Sequence, residues 1–262
     1  MKFTYLKFGS IPAVAAALFA GITGSAIAGE VVDPEPIIAY EAGRGLLTTE
    51  GPSGMFINPT SGTLPGGAFT VQWCAYFPNQ DDSVVGHGWM AAYGVTDWLE
   101  IGSVGTYIDN VDGGTATAGG PMARIRLLKD GGGLPQTSIG YYGKYGDFDQ
   151  SNVFGAIYKR FSIGNESGFV KSVGFHAGAR ARWESAKEDE FRGYGGLEFQ
   201  LPYRLYIVGE LTTEEDADVE APFSYGIQWR AGGVNISLAK VQNGGAADGA
   251  AFYVGIGSAV SF

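Results

Sequence analysis

From residue 65 onward, apolar and polar side chains alternate in short runs that are separated by turn residues. A period of two puts successive side chains on opposite faces, as in a β-strand with one apolar face. In the clearest run Phe175 and Trp183 share one face, while Arg180 and Arg182 share the other. The pattern predicts strands at about 69–77, 86–95, 99–107, 120–129, 136–146, 151–162, 170–184, 192–200, 204–211, 223–230, 234–238 and 252–262.

The links between these runs indicate how the strands are arranged. Links two–three, eight–nine and ten–eleven are short, whereas links one–two, three–four, nine–ten and eleven–twelve are longer. Short periplasmic turns alternating with long extracellular loops are typical of an even-stranded transmembrane barrel. We therefore predict an all-β fold, an antiparallel transmembrane β-barrel of about 12 strands over residues 65–262, with ten or fourteen strands as alternatives. A soluble secreted β-sandwich is the competing architecture.

The last run places Phe252, Ile256 and Val260 on one face and mostly small residues on the other. It ends at Phe262, the last residue of the sequence. A terminal aromatic strand of this kind resembles those of bacterial outer-membrane β-barrels. The resemblance implies that Phe262 is an assembly signal and that the barrel-assembly machinery is a partner.

The first 64 residues differ from the rest of the chain. Lys2 and Lys7 precede an apolar stretch, and the small residues of 25–28 form a cleavage site, so residues 1–28 are predicted to be a secretory signal peptide. Residues 29–64 begin acidic and rich in proline and continue with many glycines. This segment is expected to be periplasmic or lumenal, as a leader or as a plug inside the barrel.

Composition narrows the class of protein further. The chain has 43 glycines and 14 tyrosines, and its charged residues make up 17% with a net charge of −10. No apolar run after residue 28 approaches the roughly 20 residues of a transmembrane helix. A single cysteine, Cys74, excludes an internal disulfide framework. No cluster of basic residues in the sequence resembles a nucleic-acid-binding patch.

Charged residues on the faces opposite the apolar stripes are expected to point into the lumen. Arginine on the lipid face would cost roughly 2–4 kcal/mol at the bilayer midplane. The residues either fill a narrow barrel as ion pairs or line a selective constriction. The set comprises Glu100, Arg124, Arg126, Lys144, Arg180, Arg182, Arg192, Glu198, Arg204, Glu210 and Arg230.

The predicted extracellular loops are acidic. They are either a solvated loop surface or a rim that collects divalent cations, which could bridge lipopolysaccharide phosphates or enrich cations at a pore mouth. The loose spacing specifies no dedicated metal site, and no cofactor is expected. The rim comprises Asp81, Asp82, Glu214, Glu215, Asp216, Asp218 and Glu220.

Catalytic residues are sparse. The two histidines are His87, at the start of the second run, and His176, on a predicted lumenal face. The one conceivable combination of a nucleophile and a base is Ser83 with His87, and no sequence motif marks it. We expect no catalytic residue and no enzyme activity, with an outer-membrane hydrolase as a third possibility.

Two stretches, Asn58–Phe69 and Tyr93–Gly102, resemble the "PTA-x-x-LP-x-G" entry and the "YG-hydrophobic-TD-x-hydrophobic-E-hydrophobic-G" hairpin of Gram-negative outer-membrane barrels. These include the YjbH-like family linked to exopolysaccharide production. The resemblance implies a location in the outer membrane, with lipid and lipopolysaccharide as surroundings. The leading function is a passive or selective channel for small solutes. The alternative is a non-conducting envelope barrel that assists surface polysaccharide.

Overall fold

The structure is a computed structural model, and it describes residues 43–77, 85–111, 114–131, 133–163, 168–185, 189–214, 221–231, 233–242 and 251–261. The predicted signal peptide, the predicted assembly signal Phe262 and most of the acidic rim lie outside these residues. So do residues 29–42 of the N-terminal segment.

Twelve antiparallel strands close into a barrel, as the alternation predicted. A short hairpin, β1 (Leu46–Leu47) and β2 (Ser53–Gly54), precedes them. Each barrel strand pairs with its neighbours in sequence, and the last strand pairs with the first, which closes the sheet. The barrel strands are β3 (Ala68–Phe77), β4 (Val85–Thr96), β5 (Leu99–Val111), β6 (Gly114–Leu128), β7 (Gln136–Gly146), β8 (Gln150–Ser162), β9 (Ser172–Glu184), β10 (Glu190–Gln200), β11 (Leu205–Thr212), β12 (Phe223–Ala231), β13 (Val234–Gln242) and β14 (Ala251–Ser261).

The two faces of the sheet differ in polarity. In β3, Val71 and Trp73 are exposed on the outer face, whereas Thr70, Gln72 and Cys74 between them are buried on the inner face. The other barrel strands repeat this alternation because the side-chain period of a strand is two. The outside of the barrel is therefore apolar, and the inside is polar.

The expected alternation of short and long links between strands is observed only in part. Link β5–β6 contains just residues 112–113, because both strands extend further than their apolar stripes suggest. Link β8–β9, on the side of the short turns, covers residues 163–171. Pro202–Arg204 forms a 3-10 turn between β10 and β11. Across the described ranges no helix is long and apolar enough to cross a membrane.

Residues 43–64, called the plug from here on, lie inside the barrel. Every plug residue is buried except Glu50, which is partly exposed. The plug runs along the lumen, turns back between β1 and β2, and leads into β3. Gly45 has a φ of 70°, and a Cβ there would collide with the carbonyl of Gly54 on the opposite strand of the hairpin. Glycine is thus required for the two arms of the plug to approach closely.

Candidate functional site

The lumen is filled by the plug and by the side chains that hold it. Apolar plug residues such as Leu46, Met55 and Phe56 are at most 1% exposed and belong to one buried cluster with lumenal residues. The Phe56 ring meets the ring of Tyr253 on β14 edge to face, with 5.7 Å between centroids. The Tyr253 hydroxyl donates a hydrogen bond to the Leu47 carbonyl at 2.5 Å. The core of this barrel is therefore made jointly by plug and wall.

Glu210 on β11 is the strongest single anchor of the plug. One carboxylate oxygen, Oε1, accepts the backbone N–H groups of Phe56 at 2.8 Å and Ile57 at 2.6 Å. The other, Oε2, accepts the Asn58 N–H at 3.0 Å and the Asn58 side-chain amide at 2.9 Å. The Ser224 hydroxyl donates to Oε1 at 2.7 Å. Five donors thus satisfy a buried carboxylate, and four of them belong to the plug.

Arg124 on β6 holds the plug by donating to its carbonyl groups. Its Nη1 bonds the Ser53 hydroxyl at 2.9 Å and also the Gly62 carbonyl, while Nη2 bonds the Ser53 carbonyl at 2.9 Å. The guanidinium therefore joins two points of the returning arm of the plug, Ser53 and Gly62. Fully buried arginine is costly unless its donors are satisfied, and here the plug supplies acceptors for both Nη atoms.

Glu100 on β5 also binds both arms of the plug. Arg44 Nη2 lies 3.5 Å from its Oε1, and both side chains are fully buried. The backbone N–H of Leu64 donates to Glu100 Oε2 at 2.7 Å. These two contacts connect Glu100 to Arg44 near the beginning of the plug and to Leu64 at its end, so Glu100 fixes the spacing of the arms.

Glu198 on β10 forms a second ionic centre near Gly43, the first described residue of the plug. Its carboxylate lies 2.6 Å from Arg230 Nη2 and 3.7 Å from His176 Nε2. It accepts the Gly43 N–H at 3.3 Å and the Tyr158 hydroxyl at 3.2 Å. The plug is thus anchored at several points along its length.

Glu50, in the turn between β1 and β2, reaches a basic group of wall residues. Its carboxylate lies 2.7 Å from Arg182 Nη2 and 3.7 Å from Arg180 Nη1. The Gln150 side-chain amide donates to it at 3.4 Å. Burial works to raise the pKa of Glu50, but Arg182, Arg180 and Lys144 together hold that pKa well below its usual range. Glu50 is therefore anionic at neutral pH.

The predicted lumenal residues have different positions in the structure. Arg126 is half-buried near the end of β6. The placement of Arg204 on a strand is wrong: it lies in the 3-10 turn with a φ of 60°, because Pro202 starts that turn before β11 begins. The residues that meet in the buried interior are Glu100, Arg124, Lys144, Arg180, Glu198, Glu210 and Arg230, with Arg182 and Arg192 partly exposed at its edge.

The acidic rim is represented in the structure by Glu214, which is exposed just after β11. The other rim residues lie outside the described ranges, and cation binding by this rim stays a prediction. In the described parts of the chain, no three His, Cys, Asp or Glu residues are grouped to hold a metal ion. The rim residues outside are Asp81, Asp82, Glu215, Asp216, Asp218 and Glu220.

The two histidines lie in different environments. The His87 ring lies between the Trp73 ring at 5.5 Å and the Tyr107 ring at 5.8 Å, centroid to centroid. Both neighbours are exposed on the outer face, so His87 belongs to the aromatic surface of the barrel. His176 is buried beside Glu198, and its ring packs tilted against the Tyr158 ring with 4.6 Å between centroids. Ser83 lies outside the described residues.

Sequence reasoning overlooked the residues through which the plug meets the wall. They include Arg44, Glu50 and Asn58 on the plug, and Gln72 and Gln228 on the wall. Gln72 accepts the Leu47 N–H at 2.5 Å, and Gln228 donates to the Met55 carbonyl at 2.6 Å. One available signal was that Arg44 and Glu50 are the sole charged residues between positions 43 and 64. A segment that is to be buried must carry few charges, each with a partner.

No known protein family model matches the sequence. No curated protein matches it either. Solved structures similar to the chain include an engineered mutant of the Rh. blastica porin, with 7% identity and a TM-score of 0.30 over 74% of this chain and 99% of that one. Another is a loop-deletion mutant of OmpT, an outer membrane protein of Vibrio cholerae, with 9% identity and a TM-score of 0.31 over 74% of this chain and 98% of that one. At these values the likeness carries no functional information.

Proposed function

We propose that this protein is a channel-type β-barrel of a Gram-negative outer membrane, closed at rest by its own plug and conducting small solutes when the plug leaves the lumen. The plug is the observation that carries the proposal. Lumenal side chains bind it along its length, through Glu210, Arg124, Glu100 and Glu198.

The outer surface supports the membrane location. Large apolar side chains are exposed at positions around the barrel, for example Trp73 on β3, Ile139 on β7, Phe175 on β9 and Ile207 on β11, each by 39% or more. Soluble monomers rarely expose a contiguous apolar patch of more than a few hundred Å². An apolar band around a closed barrel suits a lipid bilayer, since the barrel leaves no strand edge unpaired.

The polar lumen supports a role in conduction. Twelve strands enclose more space than the eight-stranded barrels that side chains alone can fill. Here the remaining space is taken by the plug, and the wall groups that bind it are charged. Removal of the plug would leave an aqueous passage lined by Glu100, Arg124, Glu198 and Glu210.

A second candidate function is a non-conducting envelope barrel that assists surface polysaccharide, as the resemblance to the YjbH-like family implies. The depth of the plug favours this candidate. All plug residues except Glu50 are buried, and a permanently closed barrel needs no route for plug exit.

Planar-bilayer recording separates the two candidates. The full-length chain is compared with a variant that lacks residues 29–64, and heat-modifiable gel mobility verifies that each barrel is folded. A second variant, Glu210→Gln, weakens the plug and leaves the chain length unchanged. We expect no stepwise currents from the full-length chain and clear steps from the deletion variant.

Each outcome bears on the proposal. Stepwise currents from the full-length barrel at the level of the deletion variant would show that the plug does not close the lumen. Silence from a folded deletion variant and from Glu210→Gln would refute the channel and support the envelope barrel. Water-soluble protein without heat-modifiable mobility would refute the membrane location.

A further inference from the structure

A basic group of side chains surrounds the turn of the plug at one end of the lumen. Lys144 on β7, Arg180 and Arg182 on β9 and Arg192 on β10 supply four positive charges. Among the described residues, the carboxylates that interact with them are Glu50 from the plug, Glu190 and Glu184, so positive charge exceeds negative by one within this described group. We call these seven residues the vestibule. It lies at the end of the barrel opposite the turn Pro202–Arg204.

The vestibule can be reached from solvent. The side chains of Glu50 and Arg182 are each 16% exposed, and that of Arg192 is 11% exposed. Arg180 lies deeper, with a side chain 3% exposed, and its Nε and Nη1 atoms have no hydrogen-bond partner in the described parts of the chain. Its Nη1 is 3.7 Å from Glu50 Oε1, which is an ion pair without a hydrogen bond. A buried guanidinium with unused donors therefore lies beside the Glu50 carboxylate.

We propose that the vestibule is a binding site for an oxyanion, a carboxylate or phosphate group of an anionic solute, and that the solute competes with Glu50 for Arg180 and Arg182. Glu50 occupies the site as an internal ligand. The displacement step rests on the proposed function, since it matters only if the plug can leave the lumen.

The chemistry of the side chains favours an oxyanion. Guanidinium groups donate paired N–H groups in a fork that matches a carboxylate or phosphate, and such charge-assisted bonds are stronger than neutral ones. Lys144 adds a third donor group, and its Nζ bonds the Thr106 hydroxyl at 3.1 Å. A neutral sugar would offer nothing to replace the charge of Glu50, so it should not compete.

The position of Glu50 links binding to the plug. It is the one plug residue that is not buried, and it lies in the turn that joins β1 to β2. A solute that takes over Arg180 and Arg182 leaves the Glu50 carboxylate without its two arginine partners. The turn of the plug is then attached through fewer groups, and the plug loosens first at this end.

Binding is tested on the refolded full-length chain in neutral detergent by isothermal titration calorimetry. Inorganic phosphate and galacturonate are titrated separately, so that phosphate and carboxylate recognition are distinguished, and glucose is the uncharged control. Glu50→Gln removes the internal competitor and should tighten phosphate or galacturonate binding at least about fivefold, the effect of one partly screened charge contact. The matched control is Glu214→Gln, which makes the same charge change on an exposed residue outside the vestibule.

Absence of tightening in Glu50→Gln, or equal tightening in Glu214→Gln, would overturn the site. Arg182→Gln, in a barrel shown to be folded, should weaken binding, and unchanged affinity would also refute the proposal.

Displacement is read from maleimide labelling of Cys74, which the plug buries. Faster labelling at saturating phosphate supports displacement, and an unchanged rate refutes it. Because calorimetry records no current, the anion site can stand or fall independently of the conductance result.

Discussion

Glu210→Gln should release the plug while leaving the barrel intact. The substitution keeps the size of the side chain and replaces one acceptor oxygen by an NH₂ group. Whichever way the amide turns, at least two donors then face that NH₂ group, since Oε1 and Oε2 each accept two or more hydrogen bonds in the native lumen. The hydrogen-bond ladder of the twelve strands does not involve this side chain.

The magnitude follows from the lost hydrogen bonds. A hydrogen bond to a charged group contributes roughly 1.5–3 kcal/mol, so two lost bonds destabilise the docked plug by about 3 kcal/mol at the lower limit. Since 1.4 kcal/mol corresponds to a factor of ten, the population with a displaced plug should rise about 100-fold.

Cys74 reports this change without further engineering. It lies on the inner face of β3, is 0% exposed, and has its Sγ 4.0 Å from the carbonyl oxygen of Thr48 on the plug. The rate of maleimide labelling of the folded barrel should rise with the displaced population. The control is Glu214→Gln, the same change on an exposed residue two positions beyond the end of β11. Equal labelling rates for wild type and a folded Glu210→Gln barrel would show that Glu210 does not hold the plug.

Two further predictions concern the plug itself. Gly45→Ala places a Cβ against the Gly54 carbonyl at a φ of 70°, so it should loosen the plug and expose Cys74 to maleimide labelling. The control is Gly155→Ala, whose Cβ would meet nothing within 4 Å and which should leave the labelling rate unchanged. Equal labelling rates for the two variants would contradict the packing of the hairpin. The folded-state pKa of Glu50 is depressed, so its contribution to docking is fully present well above its unfolded pKa near 4.5 and is lost progressively as the pH falls from that value toward the lower folded pKa. Hydrogen exchange at residues 48–52, corrected for intrinsic rates, should therefore show protection at pH 4.5 within about twofold of that at pH 7, and a larger loss at pH 4.5 would refute the arginine contacts.

The barrel could be predicted from sequence because strand alternation is a local signal. Phe175 and Arg180 lie on opposite faces for the same geometric reason that operates in every strand. The plug has no such period, and its key contacts are distant: Glu210 bonds Asn58 across 152 positions of the chain. Inward charges were predictable as a set, but their partners were not, because a carboxylate that accepts backbone N–H groups leaves no trace in the charge pattern. The error at Arg204 arose because a proline turn interrupts the alternation.

The lumenal charges need not be assigned either to structural filling or to permeation. Glu210 and Glu100 accept hydrogen bonds from N–H groups of the plug, and Arg124 donates to plug carbonyls. The plug backbone therefore supplies the hydrogen bonds that water would otherwise supply to these charges. An empty, dry lumen is excluded, since uncompensated buried ions cost several kcal/mol each. Plug departure must therefore be coupled to the entry of water along the whole lumen. On the proposed channel function, the barrel alternates between a plugged and a water-filled state, and the charges that bind the plug in the first line the lumen in the second.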